Sequence, residues 1–238
     1  MKKTLSIGLP IALAILAVGF YQAIFVAPTE ATMGDIQRIF YYHVPSNTMG
    51  LLFPYVNFVA SIVFLATRRS NPLRAQAADA LALASAEVTL VFVTIGLATG
   101  MLWAKPVWGI WWTWDARLTS VFVLWLIYMS YLMVRRFTAG GETQTLAAVL
   151  SIFAAVDVPI VYMSIRWWRT QHPAPVFLGS PGSGLDPHMW PAFLWNMAGW
   201  LAWGILLVTL RYRLERKRQR AEQDAALRAL ETSLQGVR

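Results

Sequence analysis

The chain has 238 residues, of which 57% are hydrophobic and only 13% charged, and its formal net charge is +8. A soluble globular domain carries about 25% charged residues, so this is a membrane composition; the basic residues sit at the ends of apolar runs rather than on one polar face, so the positive balance does not mark a nucleic-acid binder. There is no cysteine, which excludes disulfides, thiolate metal sites and Cys-x-x-Cys redox motifs.

Six apolar runs are long enough to cross a hydrocarbon core of about 30 Å, which takes about 20 helical residues. The first covers 5–27. It follows Met1-Lys2-Lys3 as a signal peptide would, but it has no convincing small-residue cleavage site and reads as an uncleaved span. The second covers 48–67. The third, 80–102, contains Glu87 and a Gly96-x-x-x-Gly100 pair, a spacing that lets a neighbouring helix approach closely. The fourth covers 118–134, the fifth 145–165 with Asp157 and Pro159 near its end, and the sixth 191–210. Strand-like alternation is absent. The chain therefore reads as an all-α integral membrane protein, a bundle of six transmembrane helices. Residues 1–210 form that domain, and 211–238, rich in Arg, Glu, Gln, Ala and Leu, form a basic C-terminal tail that reads as a helix. No Gly-x-x-x-x-Gly-Lys-Ser/Thr phosphate loop is present, so the chain does not hydrolyse ATP by that route.

Basic residues set the orientation. Lys2 and Lys3, Arg68, Arg69 and Arg74, Arg135 and Arg136, and the Arg211–Arg220 cluster share one set of helix ends. That set is cytoplasmic by the positive-inside rule, which puts both termini inside, as an even number of spans requires. The loops 28–47, 103–117 and 166–190 then face outward.

All three histidines, His43, His172 and His188, fall in those outward loops. His43 lies in Phe40-Tyr-Tyr-His43-Val-Pro45, where Pro45 predicts an extended turn at Val44. His172 lies in Trp167-Trp-Arg-Thr-Gln-His172-Pro173, just after the fifth span. Between them in sequence, Trp108-Gly-Ile-Trp111-Trp112-Thr-Trp114-Asp115 holds four tryptophans in seven positions. Two readings are open. The indoles could form an interfacial belt, with each histidine a hydrogen-bonded surface residue. Alternatively, they form a flat apolar shelf for a planar ligand. Two imidazoles can ligate one iron from opposite sides of a porphyrin. The propionates of a porphyrin need cations, and Arg38, Lys105, Arg117, Arg166 and Arg169 are the outward ones. A belt spreads its tryptophans over many helix ends, whereas four here share one loop, which favours the shelf. Asp115 either caps the fourth helix through its side chain or takes part in ligand binding. A zinc site is disfavoured, because few carboxylates lie near the histidines.

Intramembrane carboxylates are functional candidates by default. Glu87 lies near the inner end of its helix, within reach of a cytoplasmic arginine. Asp157 lies towards the outer end of its helix, near the histidine layer, where it reads as a supporting residue.

The stretch Trp108-Gly-Ile-Trp-Trp-Thr-Trp-Asp-Ala-Arg-Leu-Thr-Ser120 closely resembles the Trp-rich "WWD" motif of the heme-handling proteins of cytochrome c biogenesis. With Arg38-Ile-Phe-Tyr-Tyr-His43-Val-Pro45, Val158-Pro-Ile-Val161 and Trp167-Trp-Arg-Thr-Gln-His172, the resemblance is to the CcmC family, the C subunit of the heme exporter, over nearly the whole chain. It implies a protein of the bacterial inner membrane that holds heme b at the periplasmic face. The heme would lie on the Trp loop (Trp108, Trp111, Trp112, Trp114, Asp115, Arg117), with His43 and His172 as axial ligands. The resemblance further implies delivery of heme to the chaperone CcmE, partnership with the ATP-binding cassette subunits CcmA and CcmB and with the small CcmD, and a handling role rather than an enzymatic one. His188 matches no family histidine and reads as structural. The competing class is a membrane b-type heme electron-transfer subunit. Such a protein places its histidine ligands inside the spans, and the predicted spans hold none.

Overall fold

The computed structural model describes residues 2–137, 142–173 and 184–235. Among these, six long helices account for almost everything: α1 (Lys2–Tyr21), α2 (Phe40–Thr67), α3 (Pro72–Trp108), α4 (Ala116–Phe137), α5 (Thr143–Trp167) and α6 (Trp190–Gln235). Each contains a stretch long and apolar enough to cross a membrane, and no strand occurs among the described residues. The expected six-helix bundle is what forms. Part of the third predicted outward loop (174–183) and the last three residues of the tail lie outside the described residues.

The helices run past the predicted spans. Helix α2 starts at Phe40 rather than near 48, fed by a 3-10 turn over Asp35–Ile39. Two expectations are thereby corrected: His43 sits inside a helix, and Val44 does not form an extended turn before Pro45. Proline removes the N–H that would otherwise bond the Tyr41 carbonyl, and the helix nevertheless runs through it; the next turn carries extra side-chain bonds. Ser46 Oγ and Asn47 Nδ2 donate to the His43 carbonyl (3.0 and 2.9 Å), and Thr48 Oγ1 donates to the Val44 carbonyl (2.8 Å). Helix α3 begins at Asn71-Pro72, where the Asn71 side chain accepts the Arg74 N–H at 3.0 Å. It ends where Gly109, at φ +76°, takes the left-handed conformation and donates to the Lys105 carbonyl at 3.0 Å. Helix α6 continues unbroken through position 210 to Gln235, so the tail is a direct extension of the last span.

Buried polar bonds join the helices. Asn57 on α2 donates to the Ala82 carbonyl of α3 (2.8 Å) and accepts from Tyr128 of α4 (3.3 Å). Asn196 on α6 donates to the Gly19 carbonyl of α1 at 2.9 Å. Three apolar clusters fill the spaces between: α3, α4 and α5 around Leu124 and Tyr128; the ends of α1, α2 and α6 around Phe40 and Phe193; and α2, α3 and α6 around Phe53 and Phe92.

One end of the bundle is ionic. Arg135 of α4 grips Asp79 of α3 through two nitrogens at 2.5 and 3.0 Å. Glu87 meets Arg211 of α6, with Nη2 to Oε1 at 2.8 Å, and the buried Glu215 lies 3.4 Å from Arg211 and 3.8 Å from Arg218. Glu87 thus has the arginine partner its position implied. Asp157 is buried on α5, and its Oδ2 finds no hydrogen-bond partner among the described residues.

Candidate functional site

At the end of the bundle opposite the ionic network, the two histidines that flank the Trp loop in sequence face each other. The ring centres of His43 and His172 are 6.5 Å apart, and their planes are inclined by 35°. His43 is supplied by the second turn of α2, His172 by the segment that follows α5.

The nitrogen available on each ring follows from its partners. Thr99 of α3 spends its hydroxyl proton on its own helix, reaching the Ile95 carbonyl at 2.7 Å. Its oxygen can therefore only accept from His43 Nδ1, at 2.9 Å. This fixes Nδ1–H and leaves Nε2 with the lone pair. Asn47 Nδ2 is nearly equidistant from both ring nitrogens, at 3.3 and 3.2 Å. A donor on the Nε2 lone-pair axis would be much farther from Nδ1, so that axis is clear. His172 Nδ1 lies 2.9 Å from the Pro173 carbonyl, which can only accept. His172 is therefore the same tautomer, again with Nε2 unprotonated. Its pKa is pushed down to about 4, first by burial and then by the nearby positive Arg117, so the ring is neutral at physiological pH.

Close helix approach makes the His43 pocket possible. A Cβ on Gly96 would lie 2.5 Å from Asn47 Oδ1, and one on Gly100 would lie 3.1 Å from His43 Cε1. Both glycines of the spaced pair face α2 and seat this one side chain and its neighbour. Thr99 is three residues from Gly96, on the same face of the helix. That spacing was the available sequence signal for Thr99.

The tryptophans divide into two groups. Trp103 stands edge-on to His43 with centroids 5.7 Å apart and packs against Phe40. In the loop, Trp108 ends α3, Trp111 is exposed beneath the Lys105 ammonium (6.0 Å), and Trp114 is 73% exposed. Trp112 is half-buried, edge-on to Trp114 and to Phe122 of α4 at 5.5 and 6.0 Å. Phe122 stacks in turn on Trp125. The loop is an aromatic ledge backed by α4, with two indoles facing out.

Asp115 is a structural clamp in this arrangement. Its Oδ1 accepts the Leu118 N–H at 2.8 Å, capping α4, and its Oδ2 accepts the Thr170 hydroxyl at 2.6 Å. Arg117 donates to the Val161 carbonyl of α5 at 2.5 Å, which ties α4 to α5 beside the histidines. The remaining outward cations are dispersed. Arg38 is spent on the Ala23 carbonyl (2.6 Å), the Ala27 carbonyl and Asp35, closing the π-helical turn Gln22–Val26. Lys105 donates to the Gly109 carbonyl at 2.9 Å, and Arg166 covers the Tyr162 ring at 4.9 Å. Arg169 lines an open recess of about 520 Å³ with Thr113, Trp114, Asp115, Thr170 and Gln171. His188 is apart from all this, exposed in a 3-10 turn with its ring 3.1 Å from Asp186.

Two neutral imidazoles with free Nε2 atoms, 6.5 Å between ring centres, suit a single metal between them. Metal–imidazole bonds of about 2 Å on either side place ring centres roughly 6–6.5 Å apart. No group of three or more His, Cys, Asp or Glu that could hold a bare metal ion occurs among the described residues. Two such imidazoles beside an aromatic ledge are better suited to a planar metal complex than to a bare ion.

Comparison with known proteins shows which family the chain resembles. A family model described as heme exporter protein C matches residues 1–227. Heme exporter protein C of Bradyrhizobium diazoefficiens is 35% identical over 215 residues, covering 88% of this chain and 78% of that one. Its namesake in Escherichia coli K12 is 31% identical over 200 residues, covering 84% and 78%. A putative cytochrome c biosynthesis ccmC-like mitochondrial protein of Arabidopsis thaliana is 32% identical over 198 residues, covering 83% and 73%.

Proposed function

This chain belongs to the heme exporter protein C family, and from that premise we propose that it binds heme b between His43 and His172, on the Trp loop, and hands it to the chaperone CcmE during cytochrome c maturation. It is a multi-pass membrane protein with a heme-handling role in cytochrome c biogenesis. The observation that carries the site is the pair of imidazoles, supplied from two elements, each with Nδ1–H committed and Nε2 free.

The chain's own residues divide the work. His43 and His172 would hold the iron through their free Nε2 atoms. Trp111 and Trp114, exposed at the ledge, present faces to the porphyrin. Trp112 holds Trp114 from behind, and Trp108 anchors the loop to α3. Asp115 and Arg117 keep the loop and the ends of α4 and α5 in register. When bound, the group would supply the iron that both imidazoles ligate. Because the ledge lies at a bundle end rather than at mid-span, this arrangement presents heme to a partner and does not conduct it through the helices.

In the same reading the ionic end is cytoplasmic, by the positive-inside rule, and the heme ledge faces the periplasm of a bacterial inner membrane. Residues 1–210 form the heme-handling bundle, and 211–238 form a basic cytoplasmic tail. The cassette subunits CcmA and CcmB with the small CcmD are the membrane partners, and ATP is hydrolysed in the cassette pair rather than here. The role is non-enzymatic transfer.

The test is the absorption spectrum of the detergent-purified protein loaded with hemin. Bis-imidazole, low-spin bands are expected, and they should be lost in His43→Ala and in His172→Ala. An unchanged spectrum in both variants overturns the axial assignment.

A further inference from the structure

Thr170 stands between the two loops that the heme reading joins. Its hydroxyl donates to Asp115 Oδ2 at 2.6 Å, and since an ionised carboxylate can only accept, the direction is fixed. The same oxygen then has lone pairs left, and it accepts the backbone N–H of His172 at 3.0 Å. Asp115 is itself immobilised: its Oδ1 holds the Leu118 N–H at 2.8 Å, its carbonyl takes the Thr119 N–H at 2.9 Å, and its own N–H reaches Thr113 Oγ1 at 3.2 Å. A continuous chain of bonds thus runs from the first turn of α4, through Asp115 and Thr170, to the main chain of His172. Arg117, two residues on, fixes that turn of α4 to the Val161 carbonyl of α5.

His43 rides on a helix, but His172 lies past the end of α5, where the chain has left regular structure. Among the described residues its ring makes one hydrogen bond, to the next carbonyl, and stands 6.5 Å from the His43 ring. Among the described residues, the hydrogen bond that holds its backbone is the one to the Thr170 hydroxyl. Charge-assisted bonds such as that to Asp115 are the stronger kind.

Resting on the heme reading above, we propose that Thr170 is a positioning residue, a latch that sets His172 over the Trp loop by bridging the Asp115 carboxylate and the His172 N–H. Thr170 touches neither iron nor porphyrin in this proposal. It acts through His172, so the second axial bond is made or broken by the register of two loops. Without the latch, heme keeps the His43 side and loses occupancy on the His172 side.

Two measurements test it, on Thr170→Val, which keeps shape and removes the hydroxyl, and on Thr170→Ser, which keeps the hydroxyl. The first needs no heme. In the detergent-solubilised, heme-free protein, hydrogen–deuterium exchange of the segment 168–173 should be about tenfold faster in Thr170→Val and close to the parent in Thr170→Ser. The second is spin state with hemin bound. Thr170→Val should shift a large share of the low-spin signal to high-spin, added imidazole should restore it, and Thr170→Ser should stay low-spin. His172→Gly with imidazole is the reference for an open axial position. Unchanged exchange and an unchanged low-spin spectrum in Thr170→Val overturn the latch, as does equal perturbation by Thr170→Ser. If His172→Gly itself leaves the spectrum unchanged, the axial reading fails, while the exchange rates still decide whether Thr170 holds the segment.

Discussion

Thr99 accepts the Nδ1–H of His43 at 2.9 Å while giving its own proton to the Ile95 carbonyl. The α3 backbone thereby dictates, through one hydroxyl, which nitrogen of an α2 histidine is free. Thr99→Val keeps the volume and removes the acceptor. Partners of this kind typically matter by about 10–100-fold in metal affinity. The expected outcome is hemin affinity about tenfold weaker or more, with thermal stability little changed, read by titration of the detergent-purified protein. Affinity equal to the parent would show that Asn47 alone orients the ring.

Gly96 and Gly100 allow a separation of stability from ligation. A Cβ at Gly96 would meet Asn47 Oδ1 at 2.5 Å, far inside contact distance, whereas one at Gly100 would press on His43 Cε1 at 3.1 Å. Gly96→Ala should therefore force α2 and α3 apart and cost about 1–3 kcal/mol, the usual range for overpacking. Gly100→Ala should cost less, yet displace the His43 ring and alter the heme spectrum. Thermal unfolding followed by tryptophan fluorescence, alongside the Soret band, checks both. The ordering fails if Gly100→Ala destabilises more than Gly96→Ala.

Much of this was legible in the sequence, for identifiable reasons. Apolar runs give six spans because lipid offers the backbone no partners. The Gly-x-x-x-Gly spacing marks a close helix contact wherever it falls. The pairing of Glu87 followed from the cost of a lone charge near the membrane. What failed was the start of α2. Pro45 reads as a helix boundary, yet the 3-10 turn over Asp35–Ile39 leads straight into α2, which runs on through Pro45. Thr99 is marked in the sequence only by its spacing from Gly96, and Thr170, in a loop, by nothing. Their meaning comes from a partner 56 and 55 residues away. Arg38 was a reasonable propionate partner on charge alone, but the π-helical turn after α1 leaves carbonyls that it satisfies instead.

The ionic end should be energetically important and functionally distant. Arg135 and Asp79 are 11% and 9% exposed at their side chains, and removing one partner of a buried pair costs about 3–5 kcal/mol. Asp79→Asn should lower stability by an amount of that order. Replacing both, Asp79→Leu with Arg135→Met, should recover most of the loss. Position 79 is 20 residues from Thr99 along one helix, about 30 Å, so the heme spectrum of the folded protein should not move. A spectral change in the double variant would mean that the two ends of α3 are coupled.

Trp112 and Trp114 are neighbours with opposite exposures, which predicts opposite phenotypes. Trp112 is half-buried against Trp114 and Phe122 at 5.5 and 6.0 Å, so Trp112→Ala opens a gap in the ledge and should cost about 2 kcal/mol, less than a fully buried tryptophan. Trp114 is 73% exposed, and losing an exposed ring should change stability by no more than about 0.5 kcal/mol. If that outer face receives the porphyrin, Trp114→Ala removes a stacking contact of about 0.5–1.5 kcal/mol, a fewfold to roughly tenfold weaker hemin affinity. A lipid-belt role predicts something else: no change in hemin affinity, but altered depth or stability in bilayers. Hemin titration in detergent and in lipid nanodiscs separates the two. Affinity unchanged in both media for Trp114→Ala would assign this indole to the membrane interface and leave Trp111 as the ring that faces the ligand.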